Sequence, residues 1–146
     1  AFVLIRGGYV KPTDMDCPEN QRGPIKITIR MNDWPTAQAA SFSYQNQFTN
    51  NRPKWNGPQT IAVLADKNPL FVSTDRSGKV RATDHLTSPN HHRLGGQNAL
   101  LSNGSVQFIR IPVLNNGDNI YHAGQGKPQY TGTESPADES DTFLVP

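Results

Sequence analysis

Residues 97–112 read QNALLSNGSVQFIRIP, and the Asn103-Gly104 pair at their centre constrains the fold more than any other feature of the chain. Asn-Gly tolerates positive φ at both central positions of a type I′ turn, whose twist matches two antiparallel strands. With a two-residue loop, Leu101 lies opposite Val106 and Ala99 opposite Phe108, which gathers four apolar side chains on one face. Gln107, Asn98 and the pair Ser102 and Ser105 fall on the other face, with Leu100 and Ile109 as exceptions. Turn chemistry and period-two alternation both predict a β-hairpin.

The remaining sequence extends the β-rich pattern. Ile25, Ile27, Ile29 and Met31 alternate with Lys26, Thr28 and Arg30, as in a half-buried strand. Residues 41–48 set Phe42 and Tyr44 against Ser43 and Gln45 and read as a second strand. The run over 60–65 suits a central strand, and 49–58 is a loop. Residues 73–96 are polar and turn-rich, with an edge strand at Val80, Arg81 and Ala82. Asp33 caps a short helix through residues 37–40, with Pro35 in its first turn. Residues 1–5, Ala-Phe-Val-Leu-Ile, read as the start of a buried strand. The expected architecture is mainly β, with α+β as the near variant. It is a single antiparallel-sheet domain with short strands, long loops and extended termini. The β-rich globular domain covers 1–122, and an extended polar arm over 123–146 ends in a short apolar strand. No internal repeat stands out.

Composition narrows the function classes. Leu, Ile, Val and Phe fill 31 of 146 positions, near the range where cores fail, but a net charge of only +2 gives little self-repulsion. Fourteen Lys and Arg are scattered without a run, so the basic balance marks no nucleic-acid groove. No window is apolar over the length needed to span a bilayer, and no secretory signal is present. Cys17 has no second cysteine to pair with, which leaves a buried or turn thiol, or a bridge between molecules.

Few residues carry chemistry. The histidines are His85, His91, His92 and His122, with Asp66 and Asp84 as candidate neighbours. His91 and His92 are adjacent, so a strand would point them to opposite faces, and only a loop could bring both to one metal. There is no HExxH, no H-x3-H and no nucleophile elbow, and Gly95-Gly96 leads into a strand rather than a phosphate-binding helix. We expect His91 and His92 to order the Gly95-Gly96 loop, with no transition metal and no catalytic residue. Asn115, Asn116, Asp118 and Asn119 surround Gly117 and form either an Asx-rich turn or a weak calcium loop completed from elsewhere. Trp34, Trp55, Tyr44 and Phe48 are core aromatics or a sugar-binding platform.

Read in order, several short segments carry a resemblance. They are Gly8-Tyr9-Val10, Cys17-Pro18-Glu19-Asn20, Ser43-Tyr44-Gln45-Asn46 and Ala65-Asp66-Lys67-Asn68-Pro69-Leu70, followed by His91 to Gly96 leading into Asn103-Gly104. Gly117-Asp118-Asn119-Ile120-Tyr121 and the closing Ser140-Asp141-Thr142-Phe143-Leu144-Val145-Pro146 complete the set. Together these resemble the C-terminal β-rich region of the planctomycete-type prepilin-like H-x9-DG domain family. Asn103 stands where that family has Asp, and ten residues separate His92 from Asn103.

The resemblance implies a bacterial, exported, pilin-like subunit without enzymatic activity or cofactor, found outside the cell or on its surface. It implies that a pilin-like helix precedes Ala1 and supplies any membrane contact, and that the partners are copies of the chain itself. Phe143, Leu144 and Val145 are then candidates for adding a strand to a neighbour rather than docking at home. The competing reading is an extracellular carbohydrate- or calcium-binding module.

Overall fold

The computed structural model describes residues 2–18, 31, 40–47, 49–57, 60–71, 95–124 and 134–145. Of the strand expected over 25–31 only Met31 is described, and of the helix at 37–40 only Ala40; the strand at 80–82 and His85, His91, His92, Trp34 and Phe48 lie outside the described residues.

The protein is mainly β, built on one antiparallel sheet. Among the described residues its strands are β1 (Phe42–Gln45), β2 (Ala62–Asp66), β3 (Gln97–Leu101), β4 (Val106–Ile109) and β5 (Leu144–Val145), in the order β4-β3-β2-β1-β5. The run expected at the centre of the sheet is there, as β2. Ala62, Ala65, Ala99 and Leu101 face a core completed by Leu70, Leu114, Ile120, Tyr121 and Leu144. Small alanines on β2 and β3 leave room for Leu114, Ile120 and Tyr121, from the chain that follows β4, in the same cluster.

The hairpin forms, but its register is one residue from the expected one. Leu100 pairs with Val106, Ala99 with Gln107, Asn98 with Phe108 and Gln97 with Ile109. Leu101 N–H donates to the Ser105 carbonyl at 2.8 Å and Gly104 N–H to the Leu101 carbonyl at 2.9 Å. This is a three-residue loop with a glycine bulge, so only Gly104, at φ 85°, has to leave the right-handed region. The slip changes the face of every β4 side chain. Ala99 and Leu101 are buried, whereas Val106 and Phe108, expected beside them, are 67% and 56% exposed.

A Cβ on Gly104 would meet no heavy atom within 4 Å, so any cost of a larger residue there is backbone strain alone. Gly104→Val is expected to lower stability by about 1–2 kcal/mol, measured by urea denaturation. An unchanged midpoint would contradict the turn geometry.

Residues 2–6 correct a second expectation, because they form a helical turn, α1 (Phe2–Arg6), and not a strand. The cause is the glycine pair after it. Gly8 sits at φ 73°, its N–H donates to the Ile5 carbonyl at 3.0 Å, and Tyr9 N–H donates to the Leu4 carbonyl at 2.9 Å. These two bonds are a Schellman C-cap. Ile5 is buried and Leu4 is half exposed.

β1 also inverts the simple apolar rule. Ser43 and Gln45 are the fully buried face, while Phe42 and Tyr44 are only partly covered. The buried pair is satisfied by distant chain: Asn68 N–H donates to Ser43 Oγ at 2.8 Å, and Phe143 N–H to Gln45 Oε1 at 3.1 Å. Asn68 extends this polar seam, its Nδ2 donating to the carbonyls of Leu144 (2.8 Å) and Tyr121 (3.1 Å) and its Oδ1 accepting from Leu70 N–H (2.9 Å).

The C-terminal segment is part of this body. Phe143 and Leu144 are buried, Tyr44 pairs with Val145, and Gln45 pairs with Leu144. The sequence leaves this apolar terminus a neighbour's sheet or its own, and within the chain it pairs with its own. The described part of the arm, residues 134–145, packs on the domain, with Pro136 and Thr142 fully buried. Cys17 is buried.

Candidate functional site

Two neighbouring features at the β4 end of the sheet are candidates for function. The first is the outer face of β4. Val106 and Phe108 project from it, and Ile111 just beyond is 50% exposed. Phe108 is held in place, because its ring lies over the backbone of Gly96, where a Cβ would come within 2.6 Å of it. A bare glycine covered by a cross-strand aromatic is a recognised way of pinning register in an edge hairpin. Gly96 thus has a packing role that the sequence analysis did not assign, and Gly95 precedes it exposed.

The second feature is a cleft of about 290 Å³ lined by Thr60, Leu101, Asn103, Gln107, Leu114, Asn115 and Asn116. Its walls are two turns of the same construction. Leu114 N–H donates to the Asp118 carbonyl at 2.8 Å and Gly117 N–H to the Leu114 carbonyl at 2.9 Å, repeating the bonds of Leu101, Gly104 and Ser105. Gly117 has φ 86°, against 85° at Gly104. Asn103 Oδ1 accepts from Ser105 N–H at 3.0 Å, and Asn116 Oδ1 accepts from Asp118 N–H at 3.1 Å. The signal was present in the sequence as LSNGS and LNNGD. It is a five-residue echo, too short to register as an internal repeat. No lining side chain carries a charge, so the cleft suits neutral, hydroxyl-rich groups better than ions.

Three side chains of the candidate calcium loop each bind a backbone amide through one oxygen. Asn116 Oδ1 and Asn119 Oδ1 cap the backbone amides of Asp118 and Tyr121, and Asp118 Oδ2 accepts from Thr142 N–H at 2.9 Å. Asn115 stands on the cleft wall. Among the described residues there is no group of three His, Cys, Asp or Glu arranged to hold a metal ion. Asp66, a candidate neighbour of the histidines, joins β2 to β3 through its side chain. Its Oδ2 accepts from Asn98 N–H at 2.6 Å, and its carbonyl accepts from the Tyr121 hydroxyl at 2.8 Å. His122 is buried within a backbone turn, its N–H donating to the Asn119 carbonyl. Of the aromatic platform, Trp55 is 61% exposed on the 49–57 loop and Tyr44 lies half-buried on β1.

Sequence reasoning also missed a carboxyl pair. Asp141 Oδ2 accepts from the amides of Ala137 (2.6 Å) and Gly124 (2.7 Å), and its carboxyl lies close to that of Asp118. Burial pushes the Asp118 carboxyl up to about 6, against the opposing hydrogen bonds from Thr142, and the Asp141 charge adds to the rise. Burial also raises Asp141. Below about pH 6 a proton on Asp118 relieves the repulsion between the two acids.

The pair gives the fold a pH dependence of definite sign. Asp118 holds a proton in the folded state that the unfolded chain releases above about 4. Stability therefore rises as pH falls from 7.5 through 6 and levels off near 4. The rise is expected to be about 1–2 kcal/mol, discounted for the partial exposure of Asp118. Asp118→Asn, which can still accept from Thr142 and can donate to Asp141, should raise the melting temperature at pH 7.5 and flatten the profile. A profile as steep in that variant would contradict the assignment.

Comparison with protein-family models, curated proteins and solved structures gives no match for this chain. No helix among the described residues is long and apolar enough to cross a membrane.

Proposed function

We propose that this chain is a non-enzymatic structural subunit, a pilin-like or surface-fibre component that acts outside the cell by assembling with copies of itself through its β domain. The observation that carries the reading is the outer face of β4, where Val106 and Phe108 stand 67% and 56% exposed on the outermost described strand of the sheet. Apolar side chains in that position are costly to leave in water and are usual at protein–protein contacts. The resemblance to prepilin-like proteins supports the same reading.

Light scattering across a concentration series, with electron microscopy of the same samples, tests it. Oligomers or regular polymers are expected, and Val106→Lys with Phe108→Lys should return the protein to monomer. A wild-type chain that stays monomeric at every concentration would overturn the reading.

A second reading has one observation in its favour, the uncharged cleft between the Asn103 and Asn116 turns. A carbohydrate-binding module would place a neutral sugar there. Its signature is a rise in thermal stability with neutral oligosaccharides that is lost in Asn103→Ala and kept in Phe108→Lys.

A further inference from the structure

We propose that β4 is a self-complementary docking strand, adding antiparallel to β4 of a second copy about a two-fold axis at Gln107. The inference rests on the assembly reading above and specifies its contact.

The β3–β4 register fixes what the edge offers. Leu101 and Ser105 are joined by a ladder bond, and hydrogen-bonded pairs then alternate along the hairpin. Ala99 with Gln107 and Gln97 with Ile109 are the bonded pairs. The backbone groups of Val106 and Phe108 therefore point away from β3, and no strand lies beyond β4 among the described residues. Sheet edges that stay single are guarded by a lysine, a proline, a bulge or an inward charge. Residues 105–109, Ser-Val-Gln-Phe-Ile, contain no charge and no proline, and the glycine bulge lies in the turn before Val106, outside the paired stretch.

Only one two-fold register uses this edge well. The outward groups belong to even-numbered residues, so the axis falls on a residue of the strand; about Val106, Phe108 would meet only the partner's Gly104, and about Ile109 it would meet the partner's Arg110. About Phe108, Val106 would meet the partner's Arg110. About Gln107, Val106 meets the partner's Phe108 and Phe108 the partner's Val106, two aromatic–β-branched pairs on the exposed face. Arg110 then lies opposite the partner's Gly104, so no like charges meet. The Phe108 ring, already seated on Gly96, enters such a contact with little side-chain freedom left to lose. A two-fold contact closes on itself and builds a dimer, to which a fibre adds a second contact.

In this register the two Gln107 residues form a non-bonded cross-strand pair with Cα atoms about 4.5 Å apart, within reach of a disulfide. Gln107→Cys in the otherwise unchanged chain should give a covalent dimer under mild oxidation at least ten-fold faster than Val106→Cys. Adding Phe108→Lys should remove that advantage. Oligomers in which Gln107→Cys cross-links no faster than Val106→Cys would overturn the β4 pairing and leave the assembly reading standing. A chain monomeric at all concentrations, without the cross-link, would overturn both.

Discussion

Asn68→Ala is expected to cost about 3–5 kcal/mol, the largest loss from any single polar truncation in the described core. The side chain is fully buried and serves three backbone groups: the carbonyls of Leu144 and Tyr121 and the amide of Leu70. Each buried group left without a partner costs about 1–3 kcal/mol. Those bonds fasten β5 and the 120–121 segment to the end of β2, so their loss should release the C-terminal strand first. Asn68→Asp separates shape from hydrogen bonding. It keeps the acceptor for Leu70 but turns a carboxylate toward two carbonyls, so it should be poor at pH 7 and partly recover in acid. Urea denaturation of both variants measures the effect, and a loss under 1 kcal/mol for Asn68→Ala would remove Asn68 from its central place.

Gly96→Ala should be nearly as damaging, at about 2–4 kcal/mol. The residue has φ 146°, and an added Cβ would lie 2.7 Å from the Ile109 carbonyl oxygen and 2.6 Å from the Phe108 ring. Backbone strain contributes about 1–3 kcal/mol and forced displacement a similar amount. The ring can swing aside, but the carbonyl belongs to the β3–β4 ladder and cannot. The double variant Gly96→Ala/Phe108→Ala should therefore recover only part of the loss relative to Phe108→Ala. Full recovery would mean that the ring alone is the obstacle, and Gly104→Val, with its open surroundings, provides the scale for strain without collision.

The sequence made the hairpin legible but not its register. Asn-Gly serves both a two-residue loop and the last two positions of a three-residue loop, and both registers give a plausible apolar face. Val106 and Phe108 are apolar whichever way they point, so alternation could not decide. The N-terminal helical turn failed for a different reason: five residues are too few for a 3.6-residue period to show. Its stop signal, Gly7-Gly8, was nevertheless present. The polar core face of β1 was illegible because Ser43 and Gln45 are satisfied by Asn68 and Phe143, far along the chain. The Asp118–Asp141 pair was hidden in the same way. The twin turns lining the cleft were the one site feature within local reach of the sequence.

Amide hydrogen exchange along β4, followed against protein concentration, tests the account most directly. In the monomer, Gln107 and Ile109 amides should be protected by β3, while those of Val106 and Phe108, facing outward, exchange freely. As the protein assembles, Val106 and Phe108 should gain protection together and in proportion to the oligomer present. Assemblies in which both stay freely exchanging, or a monomer in which they are the protected pair, would contradict the edge strand on which the function proposed here depends.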